Sequence, residues 1–264
     1  MPKAKLNGLN MYYEIRGENF PIVMIMGLTA NIDWWDERLI DVLSKHWKII
    51  LFDNRGTGRS DNDIDFTLKD MADDTIGLLN FLNIEKAHVY GHSMGGMIAQ
   101  ELVLNYPERV NKLVLSSTSC GGAKYVPPSQ DVLKILMKDN RGKTPHEVVS
   151  DFIKVIFTQE FRLENPNFIE NFIKKVLIAQ ISYREFKRQM NAILAFRSYR
   201  RLKTITTPTL VLHGKKDILS PYQNGVNISK LIPGSHLELF DNTAHQIFEE
   251  EFDKVIEPFI TFLK

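Results

Sequence analysis

The apolar residues of this chain cluster into short runs, and stretches with helical periodicity separate those runs. The run at 21–26 is continuously apolar, which is typical of a strand buried on both faces of a parallel sheet, and further strands are predicted at 47–52 and 110–116. An Asn7-Gly8 turn predicts a hairpin at the start. Further strands are predicted at 9–15, 87–90, 209–213 and 236–240, and helices at 34–43, 67–82, 96–104, 221–231 and 247–263. With the strand before Asn7, this pattern predicts an α/β fold: a mostly parallel eight-stranded sheet with helices on both faces.

The alternation of strands and helices is interrupted once. Strand signals stop after Tyr125 and resume at Thr209, and the stretch between them has helical periodicity. We therefore predict a helical cap at 124–203, inserted after the sixth strand, and a core made of 1–123 and 204–264. Such a cap would lie over the carboxyl ends of the strands, where sites in open α/β sheets form.

A short glycine-flanked serine motif, Gly91-His92-Ser93-Met94-Gly95, lies between a predicted strand and a predicted helix. In this context G-x-S-x-G is typical of a nucleophile elbow, which exposes the serine hydroxyl at a helix N-terminus. There the helix dipole and the free N–H groups favour developing negative charge. The alternative interpretation is a serine in an ordinary glycine-containing turn.

Two further residues support the catalytic interpretation. Asp217 and His245 each follow a predicted strand and lie in a turn, in the chain order serine, aspartate, histidine. A serine hydroxyl is a poor nucleophile at neutral pH. His245 would take the proton of Ser93, and Asp217 would hold the imidazole in one tautomer. We therefore predict Ser93, Asp217 and His245 as a catalytic triad.

With these motifs the chain resembles the α/β-hydrolase superfamily over nearly its whole length. It looks most like the small carboxylesterases and lactonases grouped with aclacinomycin methylesterase, enol-lactonases and cofactor-free haloperoxidases. The matching segments are 26–28, 53–60, 91–95, 106–110, 213–217 and 244–245. Two positions depart from the family pattern: Met26 replaces a histidine, as in the aclacinomycin-methylesterase-like group, and Ala244 replaces the glycine before His245.

The resemblance implies further site residues. An oxyanion hole needs two N–H donors, and the resemblance assigns them to the backbones of Leu28 and Met94. Gly27 and one of the tryptophans, Trp34 or Trp35, are expected to line the substrate pocket. Packing of both tryptophans in the core is the alternative.

The resemblance also implies the reaction. It points to a serine hydrolase that cleaves small esters, thioesters or lactones through an acyl-enzyme intermediate, with no cofactor and no metal. A perhydrolase or a lyase would keep the same residues. A ligand receptor built on the same fold is also compatible with the sequence, because a fold does not determine a function.

The charge of the chain is unevenly distributed. The net charge is only +1, which gives no overall attraction for nucleic acid. Residues 124–203, however, carry 16 Lys and Arg against 8 Asp and Glu. Arg184 and Arg188 lie in the densest part and predict a substrate with an anionic group, such as an acyl-CoA-like thioester or a carboxylate-bearing lactone. Two alternatives explain this excess of positive charge: a solvated helical surface, or docking of the cap on an acidic core. The acidic pairs and runs 73–74 and 249–251 are interpreted as solvated helix faces.

The cysteine count and the lengths of the apolar stretches indicate where the protein is expected to be located. The single cysteine, Cys120, cannot form an internal disulfide. The start of the chain lacks a signal-peptide pattern, and no apolar stretch is long enough to span a membrane. We therefore expect no membrane association and a cytoplasmic location. The oligomeric state stays open.

Overall fold

A computed structural model describes residues 2–62, 64–138 and 140–264. Within these ranges eight strands form one sheet in the order β1-β2-β4-β3-β5-β6-β7-β8. The strands are β1 Lys3–Leu6, β2 Leu9–Arg16, β3 Pro21–Ile25, β4 Lys48–Phe52, β5 Ala87–His92, β6 Val110–Ser116, β7 Thr209–Gly214 and β8 His236–Phe240. β2 pairs antiparallel with β1 and with β4, and the other neighbours are parallel. The predicted mostly parallel eight-stranded sheet is confirmed.

The continuous apolar runs reflect burial on both faces of the sheet. Along β3, Val23 and Ile25 belong to one buried cluster, whereas Ile22 and Met24 belong to the cluster on the opposite face. All four side chains are fully buried. Because alternate residues of a strand point to opposite faces, both sets must be apolar when helices cover both faces.

Helices cover the two faces of the sheet and fill the interval between β6 and β7. The helices are α1 Glu37–Ser44, α2 Leu68–Phe81, α3 Met94–Asn105, α4 Gln130–Leu136, α5 Pro145–Ile156, α6 Gln159–Glu164, α7 Pro166–Ile178, α8 Tyr183–Ala195, α9 Gln223–Leu231 and α10 Ile247–Leu263. α2, α3 and α9 contribute to one buried cluster, and α1 and α10 to the other. In the part of the chain described, no helix has both the length and the apolarity that a membrane span requires.

Helices α4–α8 lie within the stretch that the sequence predicts as a cap. Aromatic side chains join α5 and α7 to the core: the ring centroid of Trp34 lies 6.3 Å from Phe152 and 5.6 Å from Phe172. Ion pairs add to this contact. Arg201 pairs with Glu101 of α3, and Lys216 lies 3.3 Å from Glu160 of α6. Some charges near and within α4–α8 therefore pair with the core, and the cap with its bounds at 124 and 203 stays a prediction.

A buried ion pair fixes the loop that follows β4. Arg55 donates two hydrogen bonds to Asp74 of α2, at 2.5 and 2.7 Å, and both side chains are almost fully buried. The interpretation of residues 73–74 as a solvated face is therefore wrong for Asp74. The sequence could not reveal this, because the partner of Asp74 comes from a loop outside its helix.

We expect Asp74→Ala to lower the free energy of unfolding by about 3–5 kcal/mol, because it leaves the Arg55 guanidinium buried without its counter-charge. Asp73→Ala is the matched control on the same helix. Asp73 is partly exposed, pairs with Lys69 and accepts a hydrogen bond from the Tyr106 hydroxyl, so its loss should cost only about 1–2 kcal/mol. Urea denaturation measures both changes. Equal effects of the two substitutions would contradict the structural role of the pair.

Candidate active site

Ser93 occupies a strained turn between β5 and α3. Its backbone dihedrals are φ 56° and ψ −120°, a region that non-glycine residues occupy at a cost of about 1–3 kcal/mol. A Cβ at Gly95 would overlap the backbone carbonyl of Ile25, so the helix can approach β3 this closely only with glycine at that position. The motif glycine is therefore explained by close packing.

Hydrogen bonds from the end of β6 hold this turn in place. The Ser93 N–H donates to the carbonyl of Ser116 at 2.9 Å, and Thr118 Oγ1 donates to the Ser93 carbonyl at 2.7 Å. Both bonds use the backbone of Ser93. Its hydroxyl is therefore not needed to maintain the turn.

The predicted oxyanion-hole residues lie beside Ser93. Met94 is the first residue of α3, so its N–H has no acceptor within the helix. A Cβ on Gly27 would lie 3.0 Å from Ser93 Cβ and 3.5 Å from its Oγ. The loop that carries Gly27 and Leu28 thus abuts the serine, with Leu28 half-buried.

Asp217 and His245 form a buried hydrogen-bonded pair. His245 Nδ1 lies 2.8 Å from Asp217 Oδ2. The other carboxylate oxygen of Asp217 accepts the N–H groups of Leu219 and Ser220 at 2.9 and 2.8 Å. His213 Nε2 lies 3.3 Å from Asp217 Oδ2 and 2.7 Å from the Ser220 carbonyl. Two turns that follow different strands are therefore joined through one carboxylate.

The surroundings of Asp217 keep it ionised. Burial opposes the charged form, but the attraction of His245 and the hydrogen bonds from His213 and His245 outweigh it. The pKa of Asp217 consequently lies well below its usual range. An ionised Asp217 can only accept a hydrogen bond, so His245 Nδ1 carries the proton that it donates to Asp217. Nε2 is then the acceptor nitrogen of the imidazole.

A second histidine packs against this pair. The rings of His92 and His245 are edge to face with centroids 4.9 Å apart, and His92 Nδ1 lies 2.9 Å from Ser116 Oγ. Burial, followed by repulsion from His245, holds the pKa of His92 well below its usual value. His92 is therefore neutral at neutral pH. His92 thus packs against His245 in its neutral form.

Residues at the end of α5 and just after it hold the backbone of His245. The N–H of His245 donates to the carbonyl of Ile156, the last residue of α5, at 3.1 Å. Glu250 of α10 accepts the N–H of Ala244 and, at 2.6 Å, that of Thr158 just after α5. The interpretation of 249–251 as a solvated face is thus wrong for Glu250, which ties the histidine turn to the cap.

The two tryptophans have different neighbours. Trp34 packs against α5 and α7, as described above. Trp35 packs on Tyr90 at 5.4 Å and, together with His92 and Phe248, lines a void of about 10 Å³, close to the volume that a single water needs. Both tryptophans are buried. A role for either in the substrate pocket stays a prediction.

The two predicted cap arginines lie on α8. Arg184 is exposed and Arg188 is buried, and both line a surface groove of about 400 Å³ with Tyr183 and Asp65. Arg188 Nε donates to Asp65 at 2.9 Å. None of the described residues that line this groove belongs to the predicted triad.

Together these residues form a candidate active site. A hydroxyl stands on a strained turn, an imidazole has a defined tautomer, a carboxylate is buried and ionised, and the loop at Gly27 abuts the serine. Among the described residues, no group of three or more His, Cys, Asp or Glu is arranged to hold a metal ion.

Comparison with known families agrees with this architecture. A family model described as the alpha/beta hydrolase fold matches residues 21–252. The chain belongs to the α/β-hydrolase fold family. The resemblance inferred from the sequence is thereby confirmed.

Individual relatives of this α/β hydrolase are hydrolases. It is 31% identical to a protein of Yersinia enterocolitica named carbamate hydrolase RutD, covering 84% of this chain and 81% of the relative. It is 27% identical to a 2-hydroxy-6-oxononadienedioate/2-hydroxy-6-oxononatrienedioate hydrolase of Pseudomonas putida, over 96% and 92% of the two chains. The crystal structure of the enol-lactonase from Burkholderia xenovorans LB400 matches with a TM-score of 0.87 at 23% identity, over 99% of each chain. The chain is a hydrolase of this fold.

Proposed function

We propose that this α/β hydrolase is a serine hydrolase that cleaves small carboxylic esters through an acyl-enzyme intermediate. The observation that carries the proposal is the 2.8 Å hydrogen bond between His245 and ionised Asp217, because His245 packs against His92, the residue before a serine on a strained turn. An unreactive serine in an ordinary turn would need neither the strain nor the buried pair.

Each residue has a defined role in this proposal. His245 Nε2 accepts the proton of Ser93 Oγ as the oxygen attacks the substrate carbonyl, and Asp217 stabilises the resulting imidazolium. The N–H groups of Leu28 and Met94 donate to the oxyanion of the tetrahedral intermediate. His245 then protonates the leaving alcohol. Water, activated by the same histidine, attacks the acyl-enzyme, releases the acid and regenerates Ser93.

The acyl class of the substrate is the open part of the proposal. Esters, thioesters and lactones all present a carbonyl to the same attack, and the name of the Yersinia relative adds carbamates to the compounds to be tested. The substrate named for the Pseudomonas relative is a dicarboxylate, which supports our prediction of an anionic substrate group. A perhydrolase or lyase activity on the same residues is the alternative.

The test is a turnover screen combined with chemical trapping. p-Nitrophenyl esters of graded acyl length, lactones, acyl thioesters and carbamates are assayed, each in a neutral and a carboxylate-bearing version. A fluorophosphonate probe and peptide mass spectrometry locate the reactive residue. Multiple turnover with the label on Ser93 would support the proposal. No label, or a single stoichiometric binding event without turnover, would favour a ligand receptor, and peracid formation would favour a perhydrolase.

The pH dependence separates the two neighbouring histidines. A histidine general base makes kcat/KM rise with pH, because only its neutral form can accept the Ser93 proton. Because the pKa of His92 is lowered by burial, His92→Asn should keep the same midpoint even if the rate falls. Initial rates from pH 5 to 9, with chemistry as the rate-limiting step, measure both profiles. If the ionisation disappears in His92→Asn, the general base is His92 and not His245.

A further inference from the structure

The loop beside Ser93 contains a turn in an unfavourable conformation. The N–H of Ala30 donates to the carbonyl of Gly27 at 3.3 Å, and Thr29, the third residue of the turn, has φ 64°. Leu28 is not among the residues with positive φ. A positive φ at the third position alone is typical of a type II turn, which favours glycine or asparagine there. A β-branched residue at positive φ is a conformational outlier and needs support from its surroundings.

That support comes from the cap. Gln189 of α8 is fully buried, and its Oε1 accepts the N–H of Thr29 at 2.9 Å. The two residues are 160 positions apart in the chain. The N–H in question belongs to the central peptide of the turn, whose orientation distinguishes a type II turn from a type I turn.

We propose that Gln189 is a positioning residue that holds the Gly27–Ala30 turn in its type II form and so keeps the oxyanion hole assembled. The inference rests on the proposed function, in which the Leu28 N–H donates to the oxyanion. Without the acceptor on Gln189, Thr29 can relax to negative φ by a flip of the central peptide. That flip reverses the directions of the Leu28 carbonyl and the Thr29 N–H. Both groups belong to the peptide that follows the Leu28 N–H, the proposed oxyanion donor. Oxyanion donors act through fixed orientation, so the flip weakens transition-state stabilisation.

The first measurement is the effect of Gln189→Met, which keeps the side-chain length but removes the acceptor. We expect kcat to fall by about 10-fold to 10²-fold, which is below the loss of a whole oxyanion donor, while KM changes little. Affinity for a boronic-acid transition-state analogue should fall in parallel with kcat. If Gln189→Met does not fold, Gln189→Ala takes its place.

The decisive measurement combines this variant with Thr29→Gly. Glycine adopts positive φ without strain, so the turn no longer needs Gln189. We expect Thr29→Gly/Gln189→Met to recover most of the lost kcat, which a loss of cap docking would not allow. Glu185→Gln is the control. Glu185 lies one turn earlier on α8 and is hydrogen-bonded to Asn62 and Arg188. This substitution should lower the midpoint of thermal unfolding and leave kcat nearly unchanged.

Three results would overturn the proposal: an unchanged kcat in Gln189→Met, no recovery in the double variant, or an equal loss of kcat in Glu185→Gln. These results are distinct from a failure of the proposed function. That failure would appear as hydrolysis that persists in Ser93→Ala, whatever the Gln189 variants do.

Discussion

Replacing Ser93 by alanine should lower kcat on the order of a millionfold while the protein stays folded. A comparable serine hydrolase loses about this factor without its nucleophile. The fold should persist because the hydrogen bonds that hold the Ser93 turn use its N–H and carbonyl, which alanine keeps. Alanine also has a Cβ, so the strain at φ 56° is unchanged.

The measurement is kcat for the best ester found in the screen, together with the midpoint of thermal unfolding. Ser44→Ala, at the end of α1, is the matched control; its hydroxyl donates only to the carbonyl of Asp41, so activity should be normal. A folded Ser93→Ala protein with a tenth of the wild-type turnover would show that the reaction uses another nucleophile.

The second large effect is expected for Asp217→Asn, which should lower kcat by about 10⁴-fold, as in other triads. The hydrogen bonds of Asp217 give the reason. The N–H groups of Leu219 and Ser220 both donate to Oδ1, so the asparagine must place its carbonyl oxygen there. Its NH₂ group then faces His245 Nδ1. An NH₂ donor requires Nδ1 as an acceptor, which moves the imidazole proton to Nε2 and prevents it from accepting the proton of Ser93.

Steady-state kinetics at pH 7 to 9 measure this change. Asp241→Asn is the control, because it makes the same substitution on an exposed aspartate after β8 that pairs with Lys215. Its activity should be close to that of the wild type. A near-normal rate in Asp217→Asn would remove Asp217 from the proposed triad.

The sequence alone determined the strand order along the chain, the α/β class and the positions of Ser93, Asp217 and His245 in turns after β5, β7 and β8. These features are local: apolar runs, periodicity and turn residues lie within a few positions of each other. The superfamily followed from the same motifs, and the family match confirms it.

The contacts that support the site were decided by the tertiary structure. Glu250, Asp74 and Gln189 look like ordinary helix residues in the sequence, and the interpretation of both acids as solvated was wrong. Each is bound by a partner from a distant segment: Glu250 bonds Thr158, Asp74 bonds Arg55, and Gln189 bonds Thr29. Backbone acceptors such as the Ile156 carbonyl leave no trace in the sequence at all. Periodicity reports which face of a helix is polar, but only the packing of separate segments decides whether water or another residue meets that face.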